Sequence, residues 1–273
     1  VLATGAIERP LVFANNDRPG IMLASAVRGY LNRFGVVAGK RVALVTNNCY
    51  AYQAALELHD AGIEVAAIID TRKAVDGDYQ LAAQVRNIPL YTGFSIQQVK
   101  GGRALKAVQL AEHLGEGKLG KAGDWIACDT LAMSGGWTPT IHLYSQAGGS
   151  LDFDDQKLCF VPRQCDQHVT VIGAANGDFF DSQSEGLSEQ PSEAYWYTQG
   201  APTDKQWLDF QYDVKVSDIE LANRENFTSI EHVKRYTTNG MSVDQGKTSN
   251  VNTLAVMAEL SGRTIPEVGT TKF

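Results

Sequence analysis

Residues 41–72, RVALVTNNCYAYQAALELHDAGIEVAAIIDTR, carry the pattern that decides the fold. The apolar run at 41–45 is too short for a helix and is typical of a strand buried on both faces. Alanine and leucine then recur at helical spacing as far as Gly62, and a second apolar run, 65–69, ends at Asp70. The stretch therefore predicts a β-α-β unit of a parallel sheet.

The turn after the first of these strands bears on nucleotide binding. In dinucleotide-binding proteins it carries G-x-G-x-x-G, because glycine lets the backbone approach a pyrophosphate at the helix N-terminus. Here the three places hold Thr46, Asn48 and Ala51. The architecture without these glycines favours a Rossmann-type unit kept as scaffold, and a nucleotide held in this turn is the alternative.

The composition is that of a globular protein with substantial cores: 273 residues, 44% hydrophobic and 20% charged. A net charge of -7 without a long basic run argues against a nucleic-acid partner. The sequence has no run of 18 apolar residues, so it predicts no membrane-spanning helix. The cysteines show no C-x-x-C, so we expect free thiols in a cytoplasmic protein and no metal site: Cys49, Cys128, Cys159 and Cys165.

Both ends of the sequence predict a piece of a longer polypeptide. Residues 1–6 begin within what reads as a buried strand, without a methionine, and residues 265–273 end in a linker-like stretch.

The rest of the chain gives a coarse alternation of elements. We expect single helices at 21–34 and 78–87, a strand at 105–110, a hairpin-like loop at 115–123 and one strand over 124–133. Residues 134–139 then turn into a helix that ends near Gly148. Short strands follow at 157–161 and 169–172, and capped helices are expected at 217–226, 229–239 and 249–261, with Ser217 and Ser229 as natural N-caps.

Two small-residue turns could contact a ligand. Residues 173–177, GAANG, directly follow a predicted strand, where a sheet can admit ligand contacts to backbone, and an ordinary tight turn is an equal alternative. Residues 240–248, GMSVDQGKT, have five residues between the glycines and follow a helix, which excludes a P-loop. Lys247, Thr248 and Ser249 could still bind an anion at the start of the last helix, although N-capping by Ser249 is favoured.

The sequence shows no evident catalytic centre. The histidines lie in unrelated contexts, and neither a Ser/His/Asp order nor H-E-x-x-H is present. His142 is expected to be a core or interface residue within a mostly apolar helix.

Several long stretches resemble the α subunit of heterotetrameric sarcosine oxidases, and the resemblance covers essentially the whole chain. The stretches are VLATGAIERPLVFANNDRPG (1–20), CDTLAMSGGWTPTIHLYSQAGG (128–149), HVKRYTTNGMSVDQGKTSNVNTLAVMAE (232–259) and IPEVGTTKF (265–273).

This resemblance implies an α/β fold of nested Rossmann-like domains of the two-dinucleotide-binding, disulfide-reductase type. The implied parts are an outer dinucleotide domain (1–39), an inserted Rossmann-like domain (40–149), the return of the outer domain (150–203), a small helical domain (204–262) and a linker (263–273) to an aminomethyltransferase-like folate domain.

The small helical domain also resembles the [2Fe-2S] ferredoxin-like domain of bacterioferritin-associated ferredoxin (BFD). Its four cysteine positions align with Asp209, Gln211, Asp244 and Ser249. Thiolates hold such clusters, so we expect the fold without iron.

The resemblance also implies the function, which is oxidation of sarcosine to glycine with a flavin and O2 and transfer of formaldehyde to tetrahydrofolate. NAD is expected in the outer domain, FMN at the interface with the β subunit, FAD in the β subunit and tetrahydrofolate in the carboxyl-terminal domain; γ and δ subunits complete the complex. The implied NAD contacts are Ala3, Thr4, Gly5, Gly173, Ala174, Ala175, Phe180 and Ser182. Candidate contacts of the interface flavin are Asn16, Arg18, Lys247, Thr248 and Ser249.

Two alternatives stay open. The chain could belong to a related amino-acid or opine dehydrogenase, for which iron–sulfur cysteines would have been favourable. It could also be a non-catalytic Rossmann scaffold on which other subunits dock. No catalytic residue is expected in the chain, and the fragment alone is expected to be inactive.

Overall fold

The computed structural model describes residues 1–179, 190–200 and 205–269. Its strands in chain order are β1 (Ala6–Glu8), β2 (Ile21–Leu23), β3 (Arg41–Thr46), β4 (Glu64–Asp70), β5 (Leu90–Thr92), β6 (Phe94–Gly101), β7 (Leu105–Gly115), β8 (Lys118–Ala127), β9 (Thr130–Ser134), β10 (Trp137–Pro139), β11 (Leu151–Asp154), β12 (Cys159–Pro162), β13 (Trp207–Asp209) and β14 (Val214–Lys215). Its α-helices are α1 (Ala24–Phe34), α2 (Tyr50–Asp60), α3 (Gly77–Val85), α4 (His142–Gln146), α5 (Val216–Arg224), α6 (Ile230–Thr237), α7 (Asn250–Ser261) and α8 (Ile265–Val268). A short 3-10 helix spans Gly173–Asn176.

The chain divides into two compact units. The central unit consists of Pro10–Gly135 and Glu189–Trp207, and the flanking unit consists of Val1–Arg9, Gly136–Ser188 and Leu208–Phe273. In this division β2 and α1 belong to the central unit, and the domain boundaries implied by the resemblance stay a prediction. The nesting of one dinucleotide domain within another stays a prediction.

The central unit is built on a parallel sheet of order β2-β9-β3-β4-β5. The predicted β-α-β unit is confirmed as β3, α2 and β4, because the alanine face of α2 is buried together with the inner strands. Parallel pairing aligns Thr46 with both Asp70 and Ser134, so three strands end at the same edge. This edge is where open α/β sheets bind ligands.

A second sheet of the central unit is antiparallel, with the order β6-β7-β8. Residues 115–123, expected to be a loop, lie mostly in strands, and the turn is only two residues long, Glu116 and Gly117. The core between the strands of this unit is aliphatic and aromatic and includes Leu11, Phe13, Val45, Ile69, Ile96, Val108, Leu131 and Tyr195.

Two further expectations for the central unit are wrong. The helix predicted at 21–34 begins only at Ala24, because Ile21–Leu23 is an edge strand paired with β9. The single strand predicted at 124–133 is two strands in different sheets. The break lies at Asp129, whose carboxylate accepts hydrogen bonds from the backbone N–H groups of Lys40 (2.9 Å) and Arg41 (3.1 Å). A single polar residue within an otherwise apolar run does not by itself indicate such a change of sheet.

The flanking unit combines short strand pairs with helices. β1 pairs with β10 and β11 pairs with β12, both antiparallel. The strand expected at 169–172 is reduced to a parallel bridge between Leu2 and Val171, and the helix expected after residue 139 is only α4.

The three carboxyl-terminal helices of the sequence prediction are present as α5, α6 and α7. Ser217 is not an N-cap, because α5 begins at Val216 and its N-terminus is stabilised by Asp218, which accepts the N–H of Lys215 (2.9 Å). Ser229 occupies the N-cap position of α6 but makes no side-chain capping hydrogen bond. Among the residues described, no helix is long and apolar enough to cross a membrane.

Candidate functional site

Two backbone turns of the flanking unit lie side by side. The N–H of Leu2 donates to the carbonyl of Thr170 (2.7 Å), and the N–H of Ile172 donates to the carbonyl of Leu2 (2.9 Å). Because this bridge is parallel, the residues that follow it, 3–5 and 173–175, leave at the same end. The structure thus brings the predicted NAD contacts together, namely Ala3, Thr4, Gly5, Gly173, Ala174 and Ala175.

The glycines of these turns are open to an approaching group. Gly5 and Gly173 have left-handed backbones, with φ of 73° and 62°, and a Cβ on either would meet nothing within 4 Å. Thr4 fastens the first turn by donating its hydroxyl to the carbonyl of Thr140 (2.5 Å). An open glycine backbone directly after a parallel bridge gives a pyrophosphate room to approach the backbone. Phe180 and Ser182, the other two expected contacts, lie outside the described residues.

A lysine and two aromatic rings surround the second turn. The ammonium of Lys157 donates to the carbonyl of Gly177 (2.7 Å) and lies 6.0 Å from the ring centre of Phe179. Trp137 stacks on Phe179 with ring centres 6.4 Å apart. Sequence reasoning did not single out Lys157, because a lone lysine in a hairpin gives no local signal. Trp137 stood within a family-like stretch, SGGWTP, without a predicted role.

A buried arginine shapes the same SGGW turn. Arg9 is 0% exposed, and its Nη1 donates to the carbonyl of Trp137 (3.0 Å). Burial lowers the pKa of Arg9 to about 10. A Cβ on Gly136, whose φ is 98°, would lie 2.7 Å from Arg9 Nη2, so only glycine leaves room for the guanidinium.

Two of the candidate flavin contacts lie in the central unit. Asn16 is buried, and its amide donates to the carbonyls of Leu11 (3.1 Å) and Trp207 (3.0 Å) while accepting the N–H of Trp207 (2.9 Å). Its side-chain amide is therefore occupied in linking Leu11 and Trp207 within the central unit. Arg18 donates to the carbonyl of Gly102 (3.0 Å).

The other candidates lie in the flanking unit, in a turn organised by Asp244. Its carboxylate accepts the Thr248 hydroxyl (2.8 Å) and the Gly246 N–H (3.1 Å), and its carbonyl accepts the Lys247 ammonium (3.0 Å). Ser249 stands at the N-cap of α7, but its hydroxyl makes no capping bond and is buried without a partner. The expectation that Ser249 caps the helix is therefore wrong.

Lys247 also lines a cavity of about 80 Å³ in the flanking unit. His142, the first residue of α4, lies in the same wall and is half-buried rather than in the core. Burial lowers the pKa of His142, and the charge of Lys247 lowers it further. The complete lining is Thr138, Pro139, Ile141, His142, Ser145, Leu151, Phe160, Gln245, Gly246, Lys247, Asn250, Val251 and Leu254.

The four positions aligned with iron–sulfur cysteines take part in other interactions. Asp209 accepts the N–H groups of Gln211 (2.8 Å) and Gly240 (2.8 Å) on its two carboxylate oxygens. Gln211 accepts the Ser242 hydroxyl (2.6 Å), and Asp244 holds its own turn. Without thiolates, these residues do not fit a [2Fe-2S] cluster. The described ranges contain no group of three or more His, Cys, Asp or Glu suited to a metal ion.

The ligand-binding edge of the central sheet is covered by the chain itself, by residues 190–198 (the covering segment). Asn47 donates its side-chain amide to the carbonyl of Glu193 (2.7 Å), and the N–H of Glu193 donates to the carbonyl of Asn47 (2.9 Å). Asn48 accepts the N–H of Tyr50 (2.9 Å), which satisfies a donor at the start of α2. The N–H groups that a phosphate would use therefore face side chains and backbone of the same unit.

A buried ion pair fills the end of β4, where dinucleotide-binding folds place an acidic ribose contact. Asp70 is 0% exposed and accepts Arg72 Nε (3.0 Å), Arg72 Nη2 (2.7 Å) and the hydroxyl of Tyr52 (2.8 Å). Burial raises the pKa of the Asp70 carboxyl, and the hydrogen bonds from Arg72 oppose this shift. Arg72 also donates to Cys49 Sγ (3.1 Å) and to the carbonyl of Pro191 (3.4 Å), which ties the pair to the covering segment.

Comparison with known proteins supports the α/β fold described above. L-proline dehydrogenase from P. horikoshii has a similar fold, with a TM-score of 0.66 at 19% identity over 99% of this chain and 55% of that chain. This confirms the predicted α/β class, while the ferredoxin-like assignment of the helical part stays a prediction. Residues 203–273 match the Sarcosine oxidase A3 domain family.

Two curated relatives align with the whole chain. It is 38% identical to sarcosine oxidase subunit alpha of Rhizobium meliloti (strain 1021), of which it spans 29%, and 36% identical to sarcosine oxidase subunit alpha of Corynebacterium sp. (strain U-96), of which it spans 32%. Over the three-tenths or so of their length that it spans, the chain belongs to the family of sarcosine oxidase α subunits.

Proposed function

We propose that the chain is part of the α subunit of a sarcosine oxidase-like flavoenzyme. The reaction is the oxidation of the N-methyl amine of sarcosine to glycine with a flavin and O2, with formaldehyde passed to tetrahydrofolate. The observation that carries this proposal is the similarity of the whole chain to about three-tenths of two sarcosine oxidase α subunits. The oxidation takes place on the partner β subunit, which holds FAD, so no residue described above serves as catalyst.

We infer that NAD binds where residues 3–5 and 173–177 leave the flanking unit. The parallel bridge at Leu2 and the open, left-handed Gly5 and Gly173 support this inference. Backbone N–H groups of such turns can donate to a pyrophosphate, and glycine allows its close approach. Lys157, held against the carbonyl of Gly177, adds a positive charge beside the second turn.

FMN is proposed at the interface with the β subunit. Of the five candidate contacts, Arg18 is the most suitable, because its described hydrogen bond to the carbonyl of Gly102 uses one of the five guanidinium N–H groups. Asn16 is the least suitable, because its amide holds Leu11 and Trp207 in the central unit. The γ and δ subunits and a carboxyl-terminal folate domain complete the proposed complex.

The function is tested with the full-length α chain assembled with its partner subunits. We expect O2 consumption and glycine formation on sarcosine, and methylene-tetrahydrofolate in place of free formaldehyde when folate is supplied. The chain alone should be inactive. Preferential oxidation of an opine or of a secondary amino acid such as proline would instead support the related dehydrogenases, and activity of the isolated chain would contradict the proposal.

For the central unit alone a second role is favoured, in which this unit is a docking scaffold and binds no ligand. Its nucleotide edge is occupied by the covering segment and by the Asp70–Arg72 pair. We propose that this unit supplies a rigid surface to other subunits. A second NAD bound per α chain, in the turn at 46–51, would contradict this role.

A further inference from the structure

The cavity beside α4 has the size of a small molecule. Its volume of about 80 Å³ gives room for roughly six water molecules at about 10–15 Å³ each. It is lined by α4, the β11–β12 hairpin, the turn at 245–247 and the first turns of α7, and it is partly open to solvent. A ligand of about five to seven non-hydrogen atoms would fill it.

The charge of this cavity is positive. The ionisable side chains in its lining are His142 and Lys247, and no carboxylate contributes to the wall. Burial and, to a lesser degree, the positive charge of Lys247 lower the pKa of His142, so near neutral pH the positive charge of the lining is that of the Lys247 ammonium. In a chain of net charge -7, a cavity lined in this way attracts anions.

The start of α7 adds the positive end of a helix dipole to the same wall. Asn250 and Val251 line the cavity and form the first turn of a 12-residue helix whose N-cap, Ser249, makes no capping hydrogen bond. The N–H of Asn250 donates to the carbonyl of Gly246 (2.8 Å), so it is the positive end of the helix dipole that favours a negative charge there. A Cβ on Gly246 would lie 2.2 Å from Asn250 Oδ1, so the adjoining turn holds its shape only with glycine.

The remaining wall carries uncharged polar residues, Thr138, Ser145 and Gln245, and a larger apolar part that faces the rest of the ligand. The apolar part is formed by Pro139, Ile141, Leu151, Phe160 and Leu254. An inorganic phosphate needs donors on all sides, whereas a short aliphatic acid places its charge on one side and its chain against carbon. We propose that this cavity binds a small aliphatic carboxylate, with the carboxylate against Lys247 and His142 and the chain against the apolar wall.

Calorimetric titration of the flavin-loaded, full-length complex with butyrate and with inorganic phosphate tests the proposal. We expect one saturable butyrate site per α chain, weakened about tenfold or more by Lys247→Met and by His142→Phe. Lys121→Met, on an exposed position of β8, is the matched control and should leave butyrate binding unchanged. The two variants change different side chains of the cavity. If one of them fails to fold, the other still tests the proposal.

Three results of the titration with the flavin-loaded complex would overturn the proposal. These are the absence of saturable butyrate binding, equal affinity in the wild type and the folded cavity variants, and tighter binding of phosphate than of butyrate. Butyrate that binds only after the flavin has been removed would also overturn it, because the cavity would then be part of the flavin site. Flavin absorbance recorded on the same samples shows whether the flavin is still bound. It therefore distinguishes butyrate binding in an emptied flavin site from a failure of the proposed FMN to bind.

Discussion

Replacing Arg72 by methionine should destabilise the central unit strongly, because it leaves the carboxylate of Asp70 buried without its cation. The side chains of the pair are 7% and 0% exposed, and two hydrogen bonds of 3.0 and 2.7 Å join them. Removing one partner of such a pair costs about 3–5 kcal/mol. The Asp70→Asn/Arg72→Met double variant should recover much of this loss, since no charge then stays buried and Asn can still accept from Tyr52.

Arg86→Met is a matched control. Arg86 makes the same two-bond contact with Asp60, at 2.8 and 2.8 Å, but the side chains are 27% and 55% exposed. Water replaces the lost contact there, so the unfolding midpoint should hardly change. Urea unfolding followed by tryptophan fluorescence measures the unfolding midpoint of both variants. The midpoints are compared at the same slope of unfolding free energy against urea concentration. Equal midpoint shifts in Arg72→Met and Arg86→Met would refute the argument that burial makes the difference.

The pH dependence of Arg72→Met follows from the same pair. Burial already raises the pKa of Asp70, and loss of the arginine raises it further. An acid with a raised pKa in the folded state binds a proton more readily when folded than when unfolded. The defect should therefore be complete above this raised pKa and shrink as the pH falls through it. A defect that grows on acidification would contradict this sign.

Two further variants test local geometry. Gly246→Ala should lower the free energy of unfolding by about 1–3 kcal/mol in thermal unfolding, because φ is 72° and the new Cβ would collide with Asn250. Gly62→Ala, where φ is 82° and the space is open, should cost less. The reverse order of the two variants would contradict this explanation. Asn47→Ala should speed deuterium exchange at the amide of Glu193, because the covering segment loses its 2.7 Å anchor; unchanged exchange would show that the anchor is dispensable.

The sequence predicted those parts of the fold that depend on local periodicity. The unit β3-α2-β4 was predictable because its strands are continuous apolar runs and its helix buries an alanine stripe. The break at Asp129 was not, because the same apolar run serves two sheets. The edge strand β2 was also missed, since three apolar residues before a helix fit either element.

The candidate site depended on long-range contacts that only the family resemblance could anticipate. Residues 3–5 and 173–177 meet across more than half of the chain, and no local pattern connects them. Asn47 and Glu193 of the covering segment are also far apart in the sequence, and no local pattern predicts the hydrogen bond between them. Ser249 was expected to cap α7, but the preceding turn is organised by Asp244, which takes the hydrogen bonds of Thr248 and Gly246. Competition between neighbouring side chains of similar chemistry is not visible in a sequence.

The most direct test of the account is deuterium exchange of the full-length complex with and without NAD. The account predicts that NAD slows exchange at residues 3–5 and 173–177 of the flanking unit. Exchange at residues 46–50 should stay unchanged, because the covering segment and Asp70–Arg72 already occupy that edge. Protection at residues 46–50, with none at 173–177, would contradict the assignment of the nucleotide to the flanking unit.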